Sequence, residues 1–222
     1  MTALSGSRIL IVGASGVLGT ELVKECVKRG ARVIATTHTG EDPLGCEKVV
    51  HVDITQSQGR SEILAAVRET GGVDAVIVAS GVVGFGLHDS VQPHDIARLI
   101  EVDLVAPLQL ITDVSSSVSE GGNVTVLTGA VVDVATLGMS TYTAAKAGLS
   151  AAMAVIRREV RSRKITVLDA RPPHTETGLA SRAVFGNAPS LKQGLDPSNV
   201  ARRIVDAIES NESELPPTAF SG

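Results

Sequence analysis

Aromatic residues are nearly missing from this sequence: there is no Trp, one Tyr and three Phe, together 2% of the chain. The core must therefore be assembled from Val, Ile, Leu and Ala, and the stacking platforms that read single-stranded nucleic acids are absent. Cysteine is scarce as well. Cys26 and Cys46 are too few for a disulfide framework, and without Cys-x-x-Cys or His/Cys ligand spacing no metal site is expected. No apolar run approaches the ~18 residues of a membrane span, and Met1 to Ser7 contains no apolar stretch of signal-peptide length. A cytoplasmic setting without a membrane partner is the expectation. Positive charge is not in excess either. The formal net charge of -4 argues against a nucleic-acid partner, and the cluster Arg157, Arg158, Arg161, Arg163 and Lys164 reads as the solvated end of a helix.

What is present is an alternation of short apolar strands and amphipathic helices along all 222 residues. Strands are expected at Arg8 to Val12, Arg32 to Thr37, Lys48 to Ile54, Asp74 to Ser80, Asn123 to Thr128 and Ile165 to Ala170. Helices are expected at Val17 to Arg29, Ser61 to Glu69, from Pro93 onward, Thr141 to Arg163 and Pro197 to Ser210, with Pro107 kinking or breaking the third. Strands apolar on both faces belong to a parallel sheet covered by helices on each side. The pattern predicts one α/β domain over 1–222, an open doubly wound parallel sheet with right-handed crossovers.

Between the first strand and first helix lies Gly13-Ala14-Ser15-Gly16-Val17-Leu18-Gly19. Glycines there permit a tight turn and let the backbone approach a pyrophosphate resting on the helix N-terminus. The strand before and the helix after supply the context that such a motif requires. The absence of Gly-Lys-Ser/Thr excludes a P-loop.

The single tyrosine is in Tyr142-Thr143-Ala144-Ala145-Lys146. Four residues apart on a helix, Tyr142 and Lys146 share a face, and an ammonium beside a phenol favours phenolate, so a lowered Tyr142 pKa is expected. Taken alone, the pair could be incidental to an amphipathic helix.

Taken in order, Gly13/Gly16/Gly19, Asp53 after the third strand, Tyr142/Lys146 and Pro172 after the sixth strand resemble the short-chain dehydrogenase/reductase family from Arg8 to about Thr177. The resemblance implies a Rossmann-type fold with Tyr142 as general acid/base and Lys146 binding the nicotinamide ribose. It implies further that Ser15, Val17 and Leu18 line the dinucleotide turn and that Asp53 with Ile54 meets adenine. Ala79-Ser80-Gly81 would flank the adenine ribose, and Thr175 and Thr177 would hold the carboxamide. Several positions depart from the family. The glycines are spaced Gly-x-x-Gly-x-x-Gly, Asp103 stands where an asparagine is expected, Pro173 replaces a glycine, and Gly129 occupies the usual serine position. Thr128 is the available hydroxyl for the serine role. Asp103 either joins the active site or only bonds local backbone before Pro107.

No carboxylate ends the second strand; Thr36-Thr37-His38-Thr39 stand there, ahead of Glu41-Asp42. Thr37 and His38 suit a 2′-phosphate, so NADP(H) is favoured over NAD(H). His174 lies near the expected nicotinamide pocket, whereas His51, His88 and His94 are expected at the surface or in loops. The expected activity is hydride transfer between NADP(H) and a small-molecule carbonyl or alcohol. The alternative is a dinucleotide-binding regulatory or scaffold protein with a degraded active site. A homodimer or homotetramer is expected through the helices carrying Leu99 to Ile111 and Ala147 to Ile156.

Overall fold

The computed structural model describes residues 4–220, so the reading of Met1 to Ser7 falls partly on residues outside it. Seven strands form one parallel sheet in the order β3-β2-β1-β4-β5-β6-β7. They are β1 Arg8–Val12, β2 Arg32–Thr37, β3 Lys48–His51, β4 Val73–Val78, β5 Val118–Leu127, β6 Thr166–Ala170 and β7 Glu214–Leu215. Successive side chains point to opposite faces, and both faces are apolar. Ile9 and Ile11 join one buried cluster, Leu10 and Val12 the other. Helices α1 Val17–Lys28 and α6 Pro197–Glu209 cover the first face through Leu22, Val23, Ile204 and Val205. Helices α2 Ser57–Glu69, α4 Ala106–Val114 and α5 Ser140–Glu159 cover the second through Ile63, Leu110, Leu149 and Met153.

Pro107 does not break its helix. From α3 Pro93–Ile100 the chain passes through a π-helical segment, Glu101–Val105, directly into α4. A proline at 107 supplies no N–H for the carbonyl four residues back, and its ring crowds that carbonyl. The extra residue of the π turn takes up the mismatch: the Ala106 N–H bonds the Glu101 carbonyl, five residues back. Asp103 lies inside this segment, fully buried.

Two other expectations change. Strand β3 ends at His51, ahead of a turn at Asp53, whose carboxylate accepts both the Thr55 N–H at 2.9 Å and the Thr55 hydroxyl at 2.7 Å. Of the basic cluster, Arg158, Arg161 and Lys164 are exposed as expected, while Arg157 and Arg163 are tied down. The Arg157 guanidinium donates to the Val167 and Ser213 carbonyls, Arg163 to those of Ser115 and Val118, and Lys164 pairs with Glu120. These bonds staple the end of α5 across β5, β6 and β7.

Candidate active site

The chain reverses its winding direction at β1, whose neighbours are β2 and β4, and a ligand crevice is expected at the carboxyl end of such a switch. A cleft of about 380 Å³ opens there. Its near wall is the glycine turn. Gly13 adopts φ +80°, and a Cβ on it would lie 2.7 Å from the Ser80 backbone. A Cβ on Gly19 would lie 2.2 Å from the Gly13 carbonyl oxygen. Both glycines are therefore required for the turn to close on β4 and on α1. Gly16 is the N-cap of α1, no side chain caps it, and Gly16, Val17 and Leu18 face the cleft. Uncapped N–H groups at a helix start suit a pyrophosphate. Ala79, Ser80 and Gly81 line the same cleft, and the Ser80 hydroxyl is buried without a protein partner among the described residues. A tight glycine turn, an uncapped helix start and an unpaired hydroxyl together fit a dinucleotide.

Helix α5 brings Tyr142 and Lys146 into the cleft from the other side. The Lys146 Nζ lies 5.7 Å from the centre of the Tyr142 ring. It also lies 2.9 Å from the Asp103 Oδ1 and donates to the Leu127 carbonyl at 3.1 Å. Lys146 is 4% exposed and Asp103 0%, so this is an ion pair removed from water. Both Asp103 carboxylate oxygens accept the Val82 N–H at 3.3 Å. Asp103 is thus bonded to Lys146 as well as to backbone.

The electrostatics differ from expectation. Burial pushes the Tyr142 phenol above its ordinary value, Lys146 pulls it back, Asp103 opposes Lys146, and the net direction is upward. The sequence pointed to a lowered value because it showed the ammonium but neither the burial of the phenol, the largest influence, nor the carboxylate beside it. Burial, the largest single influence, would lower the Lys146 pKa, but Asp103, Tyr142 and Asp169 together outweigh it, and the net direction is upward. For the Asp103 carboxyl, burial is the largest influence and raises it against the pull of Lys146.

Thr128 lines the same cleft as Tyr142, but it is fully buried and its hydroxyl donates to Asp169 on β6. Asp169 is 1% exposed and also receives the Ser150 hydroxyl at 2.6 Å and the Arg171 Nε at 2.9 Å. A carboxylate this deeply buried requires such donors, and Thr128 is one of them. Gly129 does bend the chain, with φ +82°, and lines the cleft beside Thr128, whose hydroxyl is engaged by Asp169.

At the adenosine end the residues disperse. Thr37 is 1% exposed and its hydroxyl shares a 2.9 Å hydrogen bond with the His51 Nδ1, so it is not open to a phosphate. His38 is exposed, with its Nε2 4.0 Å from the Asp53 Oδ2. Ile54 packs into the core beneath β3. Ser15 borders a separate hollow of about 300 Å³ with Lys24, Glu41 and Asp42. Pro172, His174, Thr175 and Thr177 all line the main cleft. The Thr175 hydroxyl donates to the Pro173 carbonyl at 2.9 Å, whereas the Thr177 oxygen accepts the Leu179 N–H and keeps its own proton for another acceptor. Sequence reasoning missed Val83, Phe85, Val131 and Met139 on the cleft wall and Asp169 behind it. Asp169 had a signal, a lone charge in an otherwise apolar strand; the others had none.

Comparison with known proteins agrees with this architecture. The pattern of the short chain dehydrogenase family matches residues 7–184. The chain is 30% identical over 184 residues to the 3-oxoacyl-(acyl-carrier-protein) reductase of Escherichia coli, covering 78% of this chain and 75% of that protein. It is 28% identical over 181 residues to the cyclic-di-GMP-binding biofilm dispersal mediator protein of the same species, covering 80% and 76%. Among solved structures, a short-chain dehydrogenase/reductase from Serratia marcescens superposes with a TM-score of 0.86 at 17% identity, over 99% of this chain and 100% of that one. A short chain dehydrogenase from Burkholderia cenocepacia in complex with NADP superposes at 0.84 and 19% identity, over 96% and 88%. With the family pattern spanning the glycine turn, Asp103 and the Tyr142/Lys146 pair, the chain belongs to the short chain dehydrogenase family of oxidoreductases.

Proposed function

We propose that this chain interconverts a carbonyl and an alcohol with NADP(H), Tyr142 exchanging the proton. The carrying observation is that Tyr142 and Lys146 open into the same cleft as Gly16, Val17, Leu18 and Ala79 to Gly81. A bound nicotinamide supplies or accepts hydride at the carbonyl carbon. The protein's own task is to position, protonate and exclude water. The Tyr142 hydroxyl gives its proton to the carbonyl oxygen as a positioned general acid. An ammonium has three N–H donors; Lys146 spends two on Asp103 and Leu127, leaving one for a ribose hydroxyl. Thr177 keeps a hydroxyl proton for a carboxamide oxygen, and Val83, Phe85, Val131 and Met139 give the substrate an apolar wall.

The reading of NADP(H) over NAD(H) rests on two observations. Thr36 to Thr39 contain no carboxylate, and the His38 ring is exposed at the end of β2. The Burkholderia relative in complex with NADP is consistent with it. With Thr37 turned inward, the role of meeting a 2′-phosphate falls to His38 and the adjoining loop.

A regulatory, dinucleotide-binding role is the second reading, favoured by the absence of a serine hydroxyl at Gly129 and the use of the Thr128 hydroxyl by Asp169. Following NADPH oxidation against a panel of ketones, aldehydes and acyl thioester mimics separates the two. Turnover of any of them supports the enzyme. Tight NADPH binding with no turnover across the panel favours the regulator.

A further inference from the structure

The buried ion pair beside the tyrosine has a consequence for the pH dependence of the chemistry. Asp103 is fully buried in the π-helical segment, and its Oδ1 lies 2.9 Å from the Lys146 Nζ. The Gly81 backbone closes over both, since a Cβ there would come within 2.7 Å of Asp103 and 3.2 Å of Lys146. Whichever atom carries the shared proton, carboxylate with ammonium or carboxylic acid with amine, the pair has zero net charge. Without Asp103 an uncompensated ammonium would face the Tyr142 ring at 5.7 Å.

We propose that Asp103 is a positioning residue that sets the charge of the site: by pairing with Lys146 it keeps Tyr142 a phenol near neutral pH, which holds the proton ready for carbonyl reduction and moves the onset of alcohol oxidation to higher pH. The inference rests on Tyr142 being the general acid/base. In reduction the phenol O–H breaks and its proton goes to the carbonyl oxygen, while the carbonyl carbon gains hydride from the dihydronicotinamide, which is oxidised. In oxidation a phenolate must already be present to take the alcohol proton, and a neutral pair does little to stabilise it.

The other charged groups do not supply the missing field. On β6, Asp169 is offset by Arg171 at 2.9 Å. His174 and Arg182 line the cleft after β6; His174 Nε2 lies 3.6 Å from Glu176, and Arg182 is exposed, its guanidinium on the Thr177 carbonyl. The cleft-facing segments of α1, β4 and β5 contribute no titratable side chain among the described residues. Burial is the largest cause of the upward shift of the Tyr142 phenol, and Asp103 adds to it by opposing Lys146.

The experiment uses the fact that the chain has one Tyr and no Trp. The phenolate band in the near ultraviolet therefore reports Tyr142 alone, in the full chain without cofactor or substrate. The unaltered protein should titrate above about 10, the ordinary phenol value. Asp103→Asn should lower the midpoint by about one to three pH units, because the ammonium then acts unopposed. Asp103→Asn combined with Lys146→Met, neutral again, should return it close to the starting value. An unchanged midpoint in Asp103→Asn overturns the proposal, and so does a double variant as low as the single one, since the effect would then come from altered packing. Should Asp103→Asn fail to fold, Asp103→Ser provides a smaller neutral replacement with the same expected direction. Because no turnover is involved, the result stands apart from whether Tyr142 is the proton donor. Where turnover is present, the pH at which alcohol oxidation sets in should fall together with the midpoint.

Discussion

Replacing Thr128 separates the structural role of its hydroxyl from a catalytic one. The hydroxyl is buried and donates to Asp169, a carboxylate that is 1% exposed. Thr128→Val keeps the shape of the side chain and removes the donor. A hydrogen bond to a charged group contributes about 1.5–3 kcal/mol. The lower part of that range applies, because Asp169 keeps the Ser150 hydroxyl at 2.6 Å and the Arg171 Nε at 2.9 Å. For a chain of this length, 1 kcal/mol corresponds to about 2–4 °C in Tm, so a fall of about 3–6 °C is expected at the lower end. Thr128→Ser retains the donor and should lose much less. Thermal unfolding of the three proteins, combined with turnover per folded molecule, provides the assay. Turnover should change little in either variant. If Thr128→Val were as stable as the original but about 100-fold slower, the scale of one lost oxyanion donor, the hydroxyl would act on substrate and the assignment to Asp169 would be refuted.

Other consequences can be checked separately. Gly19→Ala places a Cβ 2.2 Å from the Gly13 carbonyl oxygen, so calorimetry should find NADPH affinity reduced by at least about tenfold, 1.4 kcal/mol; unchanged affinity would mean that the turn does not hold the dinucleotide. NADPH should bind several-fold tighter than NADH, and His38→Asp should reverse that order by charge repulsion, whereas NADH preference in the unaltered protein would contradict the cofactor reading. Ile96 and Val155 expose apolar surface at 40% and 55% on α3 and α5, and a homodimer or homotetramer built through Leu99 to Ile111 and Ala147 to Ile156 is expected; a monomeric mass by light scattering at micromolar concentration would exclude it.

The elements were legible in the sequence because each obeys a local rule. Ile9 to Val12 alternate between two buried faces, Gly13 and Gly19 sit where a strand turns into a helix, and Tyr142 and Lys146 lie four residues apart. What stayed illegible is where a side chain has two possible partners and only the tertiary structure chooses. The Thr128 and Thr37 hydroxyls each bond a neighbouring strand, through Asp169 on β6 and His51 on β3, which the sequence does not show. The proximity of Asp103 to Lys146 joins two helices far apart in the chain, and the π turn that aims it follows from Pro107, which by itself predicted only a kink. The expected fall in the Tyr142 pKa failed for the same reason. The ammonium was visible in the motif, whereas the burial of the ring, which dominates, and the counter-charge of Asp103 were not.

The most direct test of the account is Tyr142→Phe, which removes the only phenol of the chain and keeps the ring. With a carbonyl substrate found in the panel, turnover should fall by on the order of 100-fold or more, as expected for the loss of a positioned general acid. NADPH affinity should survive, because the glycine turn and the Asp103–Lys146 pair are untouched. Near-normal turnover in Tyr142→Phe would contradict the central claim that this residue exchanges the proton.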